Sequence, residues 1–117
     1  MQKIREIEFF EKESGKSPVV EFIESIRRPA ERAKIVKVFE VIEKMQIVPT
    51  AFLKKFKGSN EIWEIRVHGF RFLGFYDGSQ KLILVHAFDK QSMKTPIHEI
   101  EVAISRKRAY LATRSSI

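Results

Sequence analysis

Apolar residues recur at two periods along the 117-residue chain, and the change of period divides it. From Val19 to Met45 the spacing is helical. Val19, Phe22, Ile23 and Ile26 make one stripe, and Ile35, Val38, Phe39, Ile42 and Met45 make a second, with Lys34, Lys37, Glu40, Glu43 and Lys44 largely opposite. Ser17 and Pro18 suit the N-cap and first position of the earlier helix, while "RRPAER" ends it and starts the next. Ahead of both, "IREIEFF" (residues 4–10) carries β-favouring types and predicts an opening strand.

Past Pro49 the period falls to two. Trp63, Ile65 and Val67 alternate with Glu64, Arg66 and His68, as in a strand covered on one face and wet on the other. "HG" is a turn, "FRFLGFY" resumes the sheet, "DGSQK" turns again, and "LILVHAF" completes a three-strand meander. In the last of these strands His86 is expected on the side of Leu84 and Phe88. Thr95-Pro96 opens a final helix with Ile97, Ile100, Ile104 and Leu111 as its stripe. These elements predict an α+β fold of order β-α-α-β-β-β-α: one domain over residues 1–117, a twisted antiparallel sheet, and helices packed on one face.

Composition narrows the function classes. The chain has no cysteine, which removes disulfides and thiolate metal sites. No apolar run approaches the roughly 20 residues that span a bilayer, and "MQKIREIEFF" lacks a signal-peptide core, so a soluble, cytoplasmic protein is expected without a membrane partner. Residues 1–53 hold 10 Lys+Arg against 9 Asp+Glu, whereas residues 54–117 hold 12 against 6, so six of the seven net positive charges lie in the second part. A basic surface there favours phosphate backbones.

The three histidines, 68, 86 and 98, show no metal-binding spacing, and the carboxylates form no DxD-type cluster. No metal or cofactor is expected. There is no G-x-S-x-G turn, and five scattered glycines make neither a P-loop nor a dinucleotide fingerprint. What remains is cationic: Lys54, Lys55 and Lys57 before the meander, Arg66 and Arg71 within it, Lys90 and Lys94 after it. These residues are candidates to grip successive phosphates; a plain solvated surface, or structural ion pairs to Glu61 and Glu64, is the competing reading. Phe72, Tyr76 and Phe88 are weaker candidates for base stacking. Metal-free RNA cleavage needs a base for the 2′ proton, cations for the phosphoryl oxygens, and an acid for the departing 5′ oxygen. A lysine serves as base when neighbouring positive charge and partial burial lower its pKa.

Three stretches, "IWEIRV", "FRFLGFYD" and "LVHAFDKQSMKTPIHEIEVAISRKRAY", resemble the phage-derived branch of the RelE/HigB toxin superfamily. The closing pattern is met through His86, Phe88, Lys90, Lys94, Thr95, Pro96, Glu99, Ile100, Ala103, Arg106 and Tyr110. The resemblance implies a type II toxin: a ribosome-dependent, metal-free mRNA endonuclease that inhibits translation and is neutralised by a small antitoxin, often a helix-turn-helix protein. By position it implies Arg66, Arg71 and Lys90 as phosphate-binding and catalytic cations, and Lys54 and Lys55 as contacts to substrate or ribosomal RNA. His98 is either a chemical acid or an exposed first-turn residue; His86 reads as a packing histidine. Gln91 stands where the pattern has a second lysine. Either Lys90 alone suffices or activity is reduced, and a catalytically silent RNA- or protein-binding module is the alternative.

Overall fold

The computed structural model describes residues 3–58, 60–90 and 95–115. Strand β1 (Glu6–Phe9) leads to helices α1 (Pro18–Ser25) and α2 (Pro29–Lys44); strands β2 (Leu53–Lys55), β3 (Trp63–Val67), β4 (Phe70–Asp77) and β5 (Lys81–Asp89) follow, and helix α3 (Ile97–Ser115) closes the chain. The α+β class and all three helices agree with the sequence. Ser17 caps α1, its Oγ accepting from the Val20 N–H at 3.2 Å, and Pro18 and Pro29 begin α1 and α2.

Three features of the sheet differ from expectation. The first is an extra edge strand: Leu53 sinks its side chain into the core and pairs in register with Ile65, so "LKK" joins β3 instead of merely approaching it. A second difference lies in β1, which runs parallel to β5 at the opposite edge, giving a mixed sheet of order β1-β5-β4-β3-β2. That edge is tied to the end of α2. Arg5 donates to the Ile42 and Met45 carbonyls at 2.5 and 2.7 Å, which no longer have partners within the helix, and the buried Glu43 accepts from the Ile7 N–H at 2.9 Å.

The third difference is that helices cover both faces. α1 and α2 pack with Ile65, Phe70, Phe72, Leu82 and Leu84, whereas Ile100, Ala103, Ile104 and Tyr110 of α3 pack with Leu73, Phe75, Ile83 and Val85. Strands apolar on both faces need cover on both, and the unbroken runs in "FRFLGFY" and "LILVHAF" carry that information. Between Leu73 and Gly74 the β4–β5 register shifts: Leu73 pairs with His86 and Gly74 with Leu84, leaving Val85 as an extra residue. The bulge reverses the alternation of β5. His86 therefore shares a face with Leu73 and Phe88, and Leu84 belongs to the other.

Candidate functional site

Register alone brings three cations to one place, and a fourth joins them from the end of β5. Arg66 on β3 lies directly opposite Arg71 on β4, and Lys54 on β2 lies opposite Glu64, one pair further along β3. Directly paired residues project to the same face, so Lys54, Glu64, Arg66 and Arg71 share the face that also carries Leu73, His86 and Phe88. Lys90 follows β5, where its backbone N–H donates to the Gly69 carbonyl at 2.8 Å and pins the strand end to the β3–β4 turn. α3 covers only part of this face. Its contacts run from His86 through Phe75 to Asp77, leaving the end with Arg66, Arg71 and Lys90 uncovered by the helix.

Two arginines directly opposite each other repel, so their arrangement has to be held. Arg71 donates through one guanidinium nitrogen to the His68 carbonyl at 2.6 Å and the Phe70 carbonyl at 3.0 Å, both in or beside the turn. His68 adopts a positive φ of 54° there. The Nε of Arg71 is buried with no acceptor among the described residues, a donor that an oxygen brought from outside could satisfy. Arg66 donates from Nε to the fully buried Glu64 at 2.8 Å, and the Thr95 hydroxyl donates to the other oxygen of the same carboxylate. Lys90 is held below the usual lysine range, first by desolvation and then by Arg71; Arg66 and Lys54 push the same way, and Glu64 opposes them.

The other site candidates spread out. Lys55 pairs with Trp63, which puts it on the opposite face from Lys54, and its ammonium meets Glu61 at 3.3 Å. The ion pairs to Glu61 and Glu64 weighed from sequence thus both form, but only the second lies within the cation cluster. Lys57 is exposed beyond β2. His98 is exposed on the first turn of α3, beside a surface groove lined by Glu101, Val102, Ser105 and Arg106. Lys94 and Gln91 lie outside the described residues. Of the aromatic candidates, Phe72 is fully buried against α1 and α2, Tyr76 packs edge-on against Trp63 on that same side, and Phe88 is buried beneath His86, with ring centroids 5.6 Å apart. None of the three presents an open ring face beside the arginines.

His86 is packed, as its sequence context suggests, and is also wired. It lies within 2.7 Å of Glu99 through Nε2 and 3.1 Å of the Arg106 guanidinium through Nδ1, while Arg106 also donates to the Val85 carbonyl at 2.9 Å. Burial lowers the pKa of His86, Glu99 opposes that shift, and Arg106 reinforces it. Glu64 is the member of the cluster that the sequence did not single out as a site candidate. Its signal was one acidic residue on the polar face of a strand, flanked by cations in register; its burial is a tertiary property. Among the described residues, no group of three His, Cys, Asp or Glu side chains converges to hold a metal ion, and no helix is long and apolar enough to cross a membrane.

Comparison with known families matches residues 22–108 to the model described as phage-derived protein Gp49-like (DUF891). The match spans α2, the meander and most of α3, and therefore every cation of the cluster. No curated protein matches the chain.

Proposed function

The chain belongs to the Gp49-like family of phage-derived proteins, and on that premise we propose that it is the toxin of a type II toxin–antitoxin pair: a metal-free endoribonuclease of the RelE/HigB kind that cuts ribosome-bound mRNA and is silenced by a cognate antitoxin. The observation that carries this reading is the arginine pair. Arg66 and Arg71 face each other across β3 and β4, with Lys54 and Lys90 beside them and the Glu64 carboxylate among them. Such a concentration of positive charge is costly in the empty protein and is offset by a polyanion.

In this reading Arg66 and Arg71 hold the scissile phosphate. The planar guanidinium of Arg71 is oriented by the turn carbonyls, and Arg66 is oriented by Glu64. Neutral Lys90 takes the 2′ proton. The 2′ oxygen then bonds to phosphorus as the bond to the 5′ oxygen breaks, and the negative charge that builds on the phosphoryl oxygens is met by the arginines. The departing 5′ oxygen takes its proton from an acid, and His98, the sequence candidate for that role, lies outside the cation cluster on the first turn of α3. Lys54 contacts the flanking backbone, and Lys55 and Lys57 are assigned to more distant RNA contacts; Lys94, outside the described residues, stays an RNA-binding candidate by its place in the sequence. Because Lys90 acts in its neutral form, cleavage rises with pH through its lowered pKa and levels off above it.

The test compares transcript cleavage by wild type and Arg71→Ala with translating ribosomes present. Arg71→Ala is expected to cut at least about 100-fold more slowly, the scale for losing an electrostatic transition-state contact, and to relieve growth arrest on induction. Equal cleavage by both proteins removes Arg71 from the mechanism. Salt-sensitive RNA binding with no cut products from either protein would instead make this a binding module.

A further inference from the structure

The cation cluster encloses the carboxylate of Glu64, which is fully buried. Burying a charge is unfavourable unless its oxygens are occupied, and both are: Oε1 by the Nε of Arg66 and Oε2 by the hydroxyl of Thr95. The two partners come from different parts of the fold. Arg66 is on β3, two residues along from Glu64, whereas Thr95 precedes α3, 31 positions away. An apolar side chain at position 64 would fill a site beside Leu73 at lower desolvation cost, so core packing alone does not explain a carboxylate there.

We infer that Glu64 is a positioning residue, a strut between Arg66 and Thr95 that sets the start of α3 and the approach of Lys90 relative to the arginine pair. This deepens the nuclease reading and rests on it for its catalytic consequence. With Nε committed to Glu64, the planar fork of Arg66 is fixed and its terminal nitrogens stay available to a phosphate. Among the described residues, the charged groups acting on Lys90 come from three strands: Lys54 on β2, Glu64 and Arg66 on β3, and Arg71 on β4. Three of these lower its proton affinity and Glu64 raises it, so Glu64 limits how far the pKa of the proposed base falls. Its removal has a definite sign.

The experiment uses the full chain with three substitutions, Glu64→Gln, Thr95→Val and Thr95→Ser, and two readouts. One is the titration of Lys90, followed by NMR on isotopically methylated lysines and assigned by its loss in Lys90→Arg. The other is cleavage of ribosome-bound transcript, resolved into kcat and KM. Glu64→Gln is expected to lower the Lys90 midpoint by about one unit, the lower end of the range for losing a neighbouring opposite charge. It is also expected to reduce kcat by roughly ten- to a hundred-fold, with a smaller effect on KM, as when a catalytic constellation is displaced. Thr95→Val should lower kcat and alter the Lys90 titration, while Thr95→Ser, which keeps the hydroxyl, should restore both.

A folded Glu64→Gln protein whose Lys90 midpoint stays at the wild-type value would overturn the strut, whether or not the protein cuts RNA. If Glu64→Gln does not fold, Thr95→Val decides, and a wild-type Lys90 titration in that variant overturns the proposal. Absence of cleavage by wild type sinks the nuclease reading instead. The Lys90 titrations would still decide the strut.

Discussion

At the scale of single residues, the protonation of His86 follows from its two neighbours. Arg106 has only donors to offer, so Nδ1 of the imidazole accepts and the proton sits on Nε2, which donates to Glu99. Protonating Nδ1 would set two donors against each other in a buried place, in keeping with the lowered pKa. In the unfolded chain the ring takes its proton near 6.5, whereas the folded protein resists until lower pH. The unfolded state then binds more protons in that window. Stability is therefore expected to fall as pH drops through 6.5 toward the folded value. Thermal melts between pH 7.5 and 5.5 should show this slope in wild type and a shallower one in His86→Gln, which has no group titrating there; parallel slopes would disprove it. Residue types and order made Arg66, Arg71 and Lys90 legible as a group. The burial of Glu64 was hidden because it and the Thr95 contact depend on how α3 docks, and no local pattern records that.

At the scale of elements, the three helices were readable because each has a stripe and a clear start, in Ser17-Pro18, Pro29 and Thr95-Pro96. The strands were harder. β2 is too short to show a period, and β1 finds its partner in β5, which is distant in sequence. The face assignment failed for a physical reason: alternation is informative only while the pleat is regular, and Val85 interrupts it. Gly74 belongs to the same irregularity. A Cβ there would lie 2.3 Å from the Ile83 carbonyl oxygen and 3.0 Å from Leu84 Cδ2, contacts that include backbone and cannot be relieved by a rotamer change. Gly74→Ala is expected to destabilise by about 1–3 kcal/mol or more, the range for overpacking a core. A urea denaturation midpoint equal to wild type would show that the strands can part there at no cost.

On the scale of the whole molecule, one face of the sheet serves two purposes. Half of it lies under α3 and completes a core; the other half displays cations. The positive excess in the second part of the sequence pointed toward this end of the protein, but charge counts cannot distinguish Lys54, which faces the arginines, from Lys55, which faces away. If Lys54, Arg66, Arg71 and Lys90 each neutralise one phosphate, log K for single-stranded RNA should fall with log salt at a slope of roughly −3. Replacing Lys54 with alanine should make that slope shallower by about 0.7, and Lys55→Ala should change it less. Fluorescence anisotropy from low to moderate salt measures both, and equal effects would mean that the two lysines are interchangeable. If this face takes RNA as proposed, its footprint is set by the place where α3 begins, just after Thr95 and Pro96. A helix advances about 5.4 Å per turn, so one turn added or removed at that point would cover or bare a comparable length of the sheet without altering any cation. The start of α3 would then act as a ruler, and natural insertions or deletions just before it would be a route to changing how much RNA that face accommodates.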